Sequence, residues 1–250
     1  MKYVNVIACT LLAGGLLVTA GCATTSSKVN LVVDKNQEAR LVSTLDYLPA
    51  PKTDETGAFL PYEASPNPYL AQRGKIKQES IVKYIDAKRA LKQKNYRHAE
   101  QLFKTLTEED KNLSGPWIGL GDVAVEQKQY EQAVAHYVKA IELNSKNVNA
   151  YMRLAKTQRL QGNFLHAQNT YAKALALWPD FPEAHLNLAV LYDIYLNHPL
   201  RAQKHMEAYQ FLTNGENKEV ARWLAEIQQR TGVPISLVVE KQKAQSKPLS

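Results

Sequence analysis

The chain is 250 residues long, with 31 Lys and Arg against 24 Asp and Glu and a formal charge of +7. That surplus is spread thinly, whereas nucleic-acid recognition needs basic residues gathered into one stripe. With no C-x-x-C, H-E-x-x-H, G-x-S-x-G or phosphate-loop spacing, the residues offer no metal site, no cofactor site and no catalytic constellation.

Met1-Lys2-Tyr3 opens with one positive charge, and an apolar run from about Val4 to Val18 leads into Thr19-Ala20-Gly21-Cys22. The run is too short to span a bilayer comfortably and has the layout of a secretory signal over residues 1–21. Its Ala20-Gly21-Cys22 ending resembles the lipobox of bacterial lipoproteins. The resemblance implies cleavage before Cys22 and acylation of that residue; an ordinary secreted protein and an uncleaved anchor are the other readings of the same run. Several acyl chains, at about 0.8 kcal/mol per buried methylene, would hold the chain to a membrane. Ala23, standing where retained lipoproteins carry Asp, implies by the same resemblance the outer membrane, with the rest of the chain in the periplasm. Cys9 leaves with the signal and Cys22 becomes a thioether, so the mature chain has no disulfide.

Residues 22–79 contain Pro49, Pro51, Pro61, Pro66 and Pro68 and no sustained period, which predicts a tether. As a coil it would average about 40 Å end to end, and as polyproline II it would reach roughly 170 Å. The apolar runs Leu31-Val32-Val33 and Leu41-Val42 predict a short strand or helix folding back on the repeats, because disordered linkers seldom carry them.

Ser80 reads as an N-cap, and Ile81, Tyr84, Ile85, Lys88 and Leu91 mark the first amphipathic helix. From there the chain repeats itself every 34 residues. Trp117 matches Tyr151, Leu120 matches Leu154, Gly121 matches Ala155, Ala133 matches Ala167, Tyr137 matches Tyr171 and Ala140 matches Ala174. Tyr96, Ala99 and Phe103 extend the ruler backwards; His185, Leu188 and Ala189 extend it forwards. Trp117, Leu120, Gly121 and Ala124 lie on one helical face, and Ala133, Tyr137 and Ala140 on another, so each unit is two helices joined by a polar turn. Small Ala residues permit close approach and aromatics fill the space beside them. These residues resemble the tetratricopeptide repeat, W-x2-L-G-x2-Y…A-x3-F…P, over about residues 80–215. The resemblance implies an all-α, right-handed α-solenoid of about four units: 80–113, 114–147, 148–181 and 182–215. The last unit holds one extra residue around Asn197-His198-Pro199. Lys218 to Arg230, with Val220, Trp223, Leu224 and Ile227 on one face, predicts a cap helix within 216–231, and 232–250 a mobile tail.

The six His are read as solvated or structural. What the family's fold offers is a concave groove, lined by the first helix of each unit at its second, fifth, ninth and twelfth places. Carried onto this chain, the resemblance selects Tyr84 and Lys88; Ile118, Asp122 and Val125; Met152, Lys156 and Arg159; and Leu186, Val190 and Asp193. Apolar groups mixed with both charges suit a peptide or helix with apolar anchors and a few ion pairs. The expectation is a non-catalytic, lipid-anchored outer-membrane scaffold for envelope proteins, resembling the pilotins that assist a secretin, a pilus or a motility apparatus. An adaptor for peptidoglycan hydrolases or a periplasmic protease is the alternative, and an undetected enzyme or ligand carrier a remote one. Four units are near the minimum for an independent solenoid, so docking of the tether or a homodimer stays open.

Overall fold

The computed structural model describes residues 39–57, 60–72 and 74–237; the signal, Cys22 and the end of the tail lie outside them. The array consists of α1 (Gln78–Lys92), α2 (Tyr96–Glu109), α3 (Ser114–Glu126), α4 (Tyr130–Leu143), α5 (Val148–Leu160), α6 (Phe164–Leu177), α7 (Pro182–Val190), α8 (Pro199–Leu212) and α9 (Lys218–Thr231). Each odd helix from α1 to α7 pairs with the even helix after it, and successive pairs stack into a solenoid. Among the described residues no helix is long and apolar enough to cross a membrane.

Two columns of side chains hold the stack. Ala99, Ala133, Ala167 and Ala202 are all fully buried, and at the next helical turn so are Phe103, Tyr171 and Met206, with Tyr137 at 2 % exposure. The opposing helices carry Ala87, Gly121, Ala155 and Ala189, where a larger group would collide with the rings. Gly119 and Gly121 show how close the approach is: a Cβ on Gly119 would stand 2.4 Å from the Phe103 ring, and one on Gly121 2.3 Å from the Tyr137 ring. Glycine is required there for space.

The turns within units repeat as well. Lys94, Lys128 and Gly162, spaced by 34, all adopt left-handed φ of 61°, 61° and 77°. Each closes its helix by donating to a carbonyl three residues back, as Lys94 does to Leu91. Only the third has the residue that this conformation favours. The extra residue of the fourth unit is absorbed in the helix before the turn. Leu191–Tyr195 forms a π-turn, in which Leu196 N donates to Leu191 O, five residues back. One widened turn accommodates one inserted residue, and Asn197 then takes the left-handed place at φ 52°.

Three local expectations are revised. Helix α1 begins at Gln78, and Ser80 is not its cap: the Ser80 side chain is buried and donates to Asp110 Oδ2 at 3.3 Å, tying α1 to the turn after α2. The described part of the tether is a strap lying on the array. It contains a short 3-10 turn at Leu45–Tyr47, and Leu31-Val32-Val33 lies outside the described residues. The tail, expected to be mobile from residue 232, is held at its start. Gln203 Nε2 donates to Val233 O at 2.9 Å, and Ser236 N and Oγ both donate to buried Glu207.

The cap helix forms as its periodicity predicts. Asn217 caps it by accepting from Glu219 N and Val220 N, Gly232 closes it at φ 68°, and Val220, Leu224 and Ile227 are buried.

Candidate partner-binding groove

The fifth place of each unit's first helix holds Tyr84, Ile118, Met152 and Leu186. Ile118 is 8 % exposed and Met152 6 %, so these two form the floor of the groove. The ninth places, Lys88, Asp122, Lys156 and Val190, and the twelfth, which include Val125, Arg159 and Asp193, rise beside that column.

Asp122 is the hub of the first half. Its Oδ1 accepts from the buried Tyr137 hydroxyl at 2.9 Å and pairs with Arg153 at 2.8 Å, while Oδ2 faces Lys88 at 3.4 Å. Burial and the Asp122 carboxylate push the Tyr137 phenol well above its ordinary pKa. Asp122 is thus already neutralised from both sides. Asp193 is likewise engaged, by Trp223 Nε1–H at 2.9 Å and Arg230 at 2.7 Å, so the cap helix consumes the acid at the other end.

Lys156 and Arg159 are left as the groove's uncompensated charges. Burial, and then the neighbouring Arg153 and Arg159, lower the Lys156 pKa, and Glu183 opposes them only in part. The Arg159 guanidinium lies 5.5 Å from the centre of the Tyr195 ring and donates to its hydroxyl at 3.2 Å, and its Nε is buried without a hydrogen-bond partner among the described residues. Tyr195 in turn packs against Phe164, the two rings tilted by 31° with their centres 4.7 Å apart. The groove therefore combines an apolar floor with two cations and an aromatic wall, which can bind a side chain or a backbone. Among the described residues no group of three or more His, Cys, Asp or Glu side chains is placed to hold a metal ion.

Sequence reasoning missed a second polar centre, which holds the strap. Gln168 grips the Val42 backbone twice, accepting from its N–H at 3.1 Å and donating to its carbonyl at 2.9 Å. The fully buried Thr44 enters a directed chain. His185 Nε2–H donates to Pro179 O at 2.7 Å, a carbonyl that can only accept. His185 Nδ1 must then accept from His205 Nδ1–H at 2.9 Å, and His205 Nε2 must accept from Thr44 Oγ1–H at 2.7 Å. Thr44 accepts from Tyr192 at 3.0 Å, and Tyr192 from Gln168 Nε2–H at 2.8 Å. With both imidazoles neutral every contact in this chain is a hydrogen bond, and burial, which lowers both pKa values, that of His185 to about 4, favours that neutral state. Further on, Tyr62 and Ser65 donate to Asp180, and Gln72 accepts from Asn144 at 2.7 Å. The strap thus passes along the second helices and inter-unit turns. The residues that hold it are scattered over several helices and the turns between units, so no local spacing announces them.

Stacked helix-turn-helix units with a regular small-and-aromatic core define an α-solenoid. Two tetratricopeptide repeat family models match the chain, one over residues 121–162 and one over 159–194. The array therefore has the fold of a tetratricopeptide-type solenoid, with repeat models matching it over residues 121–194. No curated protein matches the sequence significantly. Among solved structures, PilF of Pseudomonas aeruginosa is similar at 18% identity, with a TM-score of 0.56 over 61% of this chain and 69% of that one. A thermophilic TPR protein of Thermus thermophilus, TTC0263, is 20% identical, with a TM-score of 0.53 over 61% of this chain and 82% of that one. MamA of Desulfovibrio magneticus is 17% identical, with a TM-score of 0.53 over 68% and 92%. At these identities the likeness is one of fold.

Proposed function

We propose that this chain is a non-catalytic scaffold that binds protein partners in its concave groove, carried on a lipid anchor at Cys22. The observation that carries the reading is the column Tyr84–Ile118–Met152–Leu186 with Lys156 and Arg159 beside it: an apolar floor and two unpaired cations, in a fold that presents side chains at fixed spacing. Binding here needs little rearrangement, because the stacked helices are already in place. On this reading the array stands in the periplasm at the outer membrane, which the lipobox-like leader supports, and the partner is an envelope protein or a peptide segment of one. Assistance to a pilus, secretin or motility assembly is the service proposed, and the fold shared with PilF supports it.

The test is affinity capture from solubilised envelopes with the native chain and with Lys156→Glu combined with Arg159→Glu. The expected result is a partner retained by the native chain and lost by the variant, while both melt at similar temperatures. A partner that binds both equally would remove the groove from its role. A captured peptidoglycan hydrolase or protease, in place of a secretin or pilus component, would move the service to the adaptor alternative.

A further inference from the structure

Among the described residues the array is covered by a helix at one end only: α9 lies on α8 at the C-terminal end, whereas no α-helix precedes α1. The repeat frame shows what α1 lacks. The third place of each unit is Val82, Pro116, Ala150 and Ala184; the last three are buried against the preceding unit, whereas Val82 is 49 % exposed. Ile85, one turn further along α1, is likewise 50 % exposed. Val82 and Leu102 line a cleft of about 410 Å3 on this end face, together with Gln78, Glu79, Lys83 and Asp86.

The charges around Val82 are ordered. Glu79, Lys83, Asp86 and Arg89 follow one another on the same side of α1 as acid, base, acid, base. Turned end for end, that series is its own complement: Lys83 meets Asp86 of a second copy and Glu79 meets Arg89, with Val82 and Ile85 between them. A two-fold interface requires this kind of self-complementarity. The present partners of these groups, Asp86 with Arg89 at 2.7 Å and Lys83 with Glu109, are exposed pairs that exchange at little cost.

We propose that the open end of the array docks on a second copy of the chain, α1 against α1 in antiparallel fashion. A 15-residue helix is about 22 Å long. Paired with its copy it covers on the order of half the ~800 Å2 per partner of a standard interface. The dimer is therefore weak and reversible, and both grooves stay open. Lys83 and Asp86 stand where the repeat pattern has its Trp and Leu, which keeps the free end tolerable to water.

The experiment uses two differently tagged full-length chains in cells, with a photoreactive residue at position 82 and mass spectrometry of the adducts. The expected product has twice the chain mass and joins position 82 to residues 78–93 of the other copy. Lys83→Asp alone, or Asp86→Lys alone, places like charges together twice and lowers the yield by about tenfold. Co-expression of the two single variants restores it, because each supplies the charge that the other needs. Recovery in trans cannot come from misfolding. An adduct to residues 1–38 or 238–250 of the same chain, an adduct to a different protein, or no adduct would overturn the proposal, as would equal yields from all charge variants. None of these outcomes bears on the groove, which lies on another face.

Discussion

Gly119 and Gly121 show at the scale of single residues why the repeat tolerates so little change. Phe103 is fully buried and packed on all sides, so its ring cannot give way to a Cβ placed 2.4 Å away. Gly119→Ala is expected to destabilise the chain by about 1–3 kcal/mol through overpacking, measured by urea unfolding. Tyr137→Phe leaves the ring in place but removes the hydrogen bond to Asp122, which keeps its ion pairs; the expected loss is about 1–3 kcal/mol. The buried histidines add a pH dependence. His185 has its pKa lowered from 6.5 to about 4 by burial, so between these values the unfolded chain binds the proton that the folded chain refuses. Stability therefore falls as the pH is lowered from 6.5 towards 4, by roughly 3 kcal/mol for His185, and His205 shifts in the same direction. Thermal melting at pH 7 and pH 4.5 checks it; a melting temperature unchanged across that range would contradict the neutral chain from Pro179 to Thr44.

Individual elements differ in how far they can be read from sequence. The helices α1 to α8 and the cap are legible because each buries a stripe at helical spacing and the stripes recur at 34 residues. The left-handed turns are half legible. Gly162 advertises its turn, but Lys94 and Lys128 adopt the same conformation with no composition signal, since the stacked helices impose it. That imposed strain gives a prediction: Lys128→Gly raises stability by about 0.5–1 kcal/mol, because the native φ of 61° costs glycine nothing. A lower melting temperature would show that the turn carries no such strain. The π-turn at Leu191–Tyr195 reads in the sequence as a longer loop, because one extra residue can be absorbed on either side of a helix end and sequence does not choose. The strap is the least legible element. Its grip depends on Gln168 meeting a backbone 126 residues away, a contact that leaves no local pattern. In the groove, the residue positions follow from the repeat frame, but the neutralisation of Asp122 by Lys88 and Arg153, and of Asp193 by α9, requires the packed structure.

At the scale of the described residues the protein is a stacked array with the segment from residue 42 to residue 72 strapped along it. If Cys22 carries the proposed anchor, the chain from 22 to 42 leaves about 20 steps before the strap docks, a reach of at most about 70 Å, far below the roughly 170 Å of a fully extended tether. With the proposed anchor in place, docking would hold the groove near the membrane, and the Gln168 grip on Val42 would set the length of the leash. Gln168→Ala should leave both Val42 backbone groups without their Gln168 partner and raise the rate of tryptic cleavage after Lys52 about tenfold, since a lost pair of part-buried hydrogen bonds is worth about 1.4 kcal/mol. An unchanged rate would mean that the strap is held by other contacts. Acylation is tested in the same chain: Cys22→Ala should abolish palmitate labelling and move the protein to the soluble envelope fraction.

A protein partner received on the concave face is the central claim, and the most direct measurement is photocrosslinking in cells from Val125. That residue is half-buried on the groove side of α3, and Gln132 on the exposed face of α4 serves as the control. The expected result is one specific adduct to an envelope protein from position 125, absent from position 132 and lost in the Lys156→Glu, Arg159→Glu variant. Adducts of equal pattern from both positions, or an adduct from Val125 only to residues 39–72 of the same chain, would contradict it.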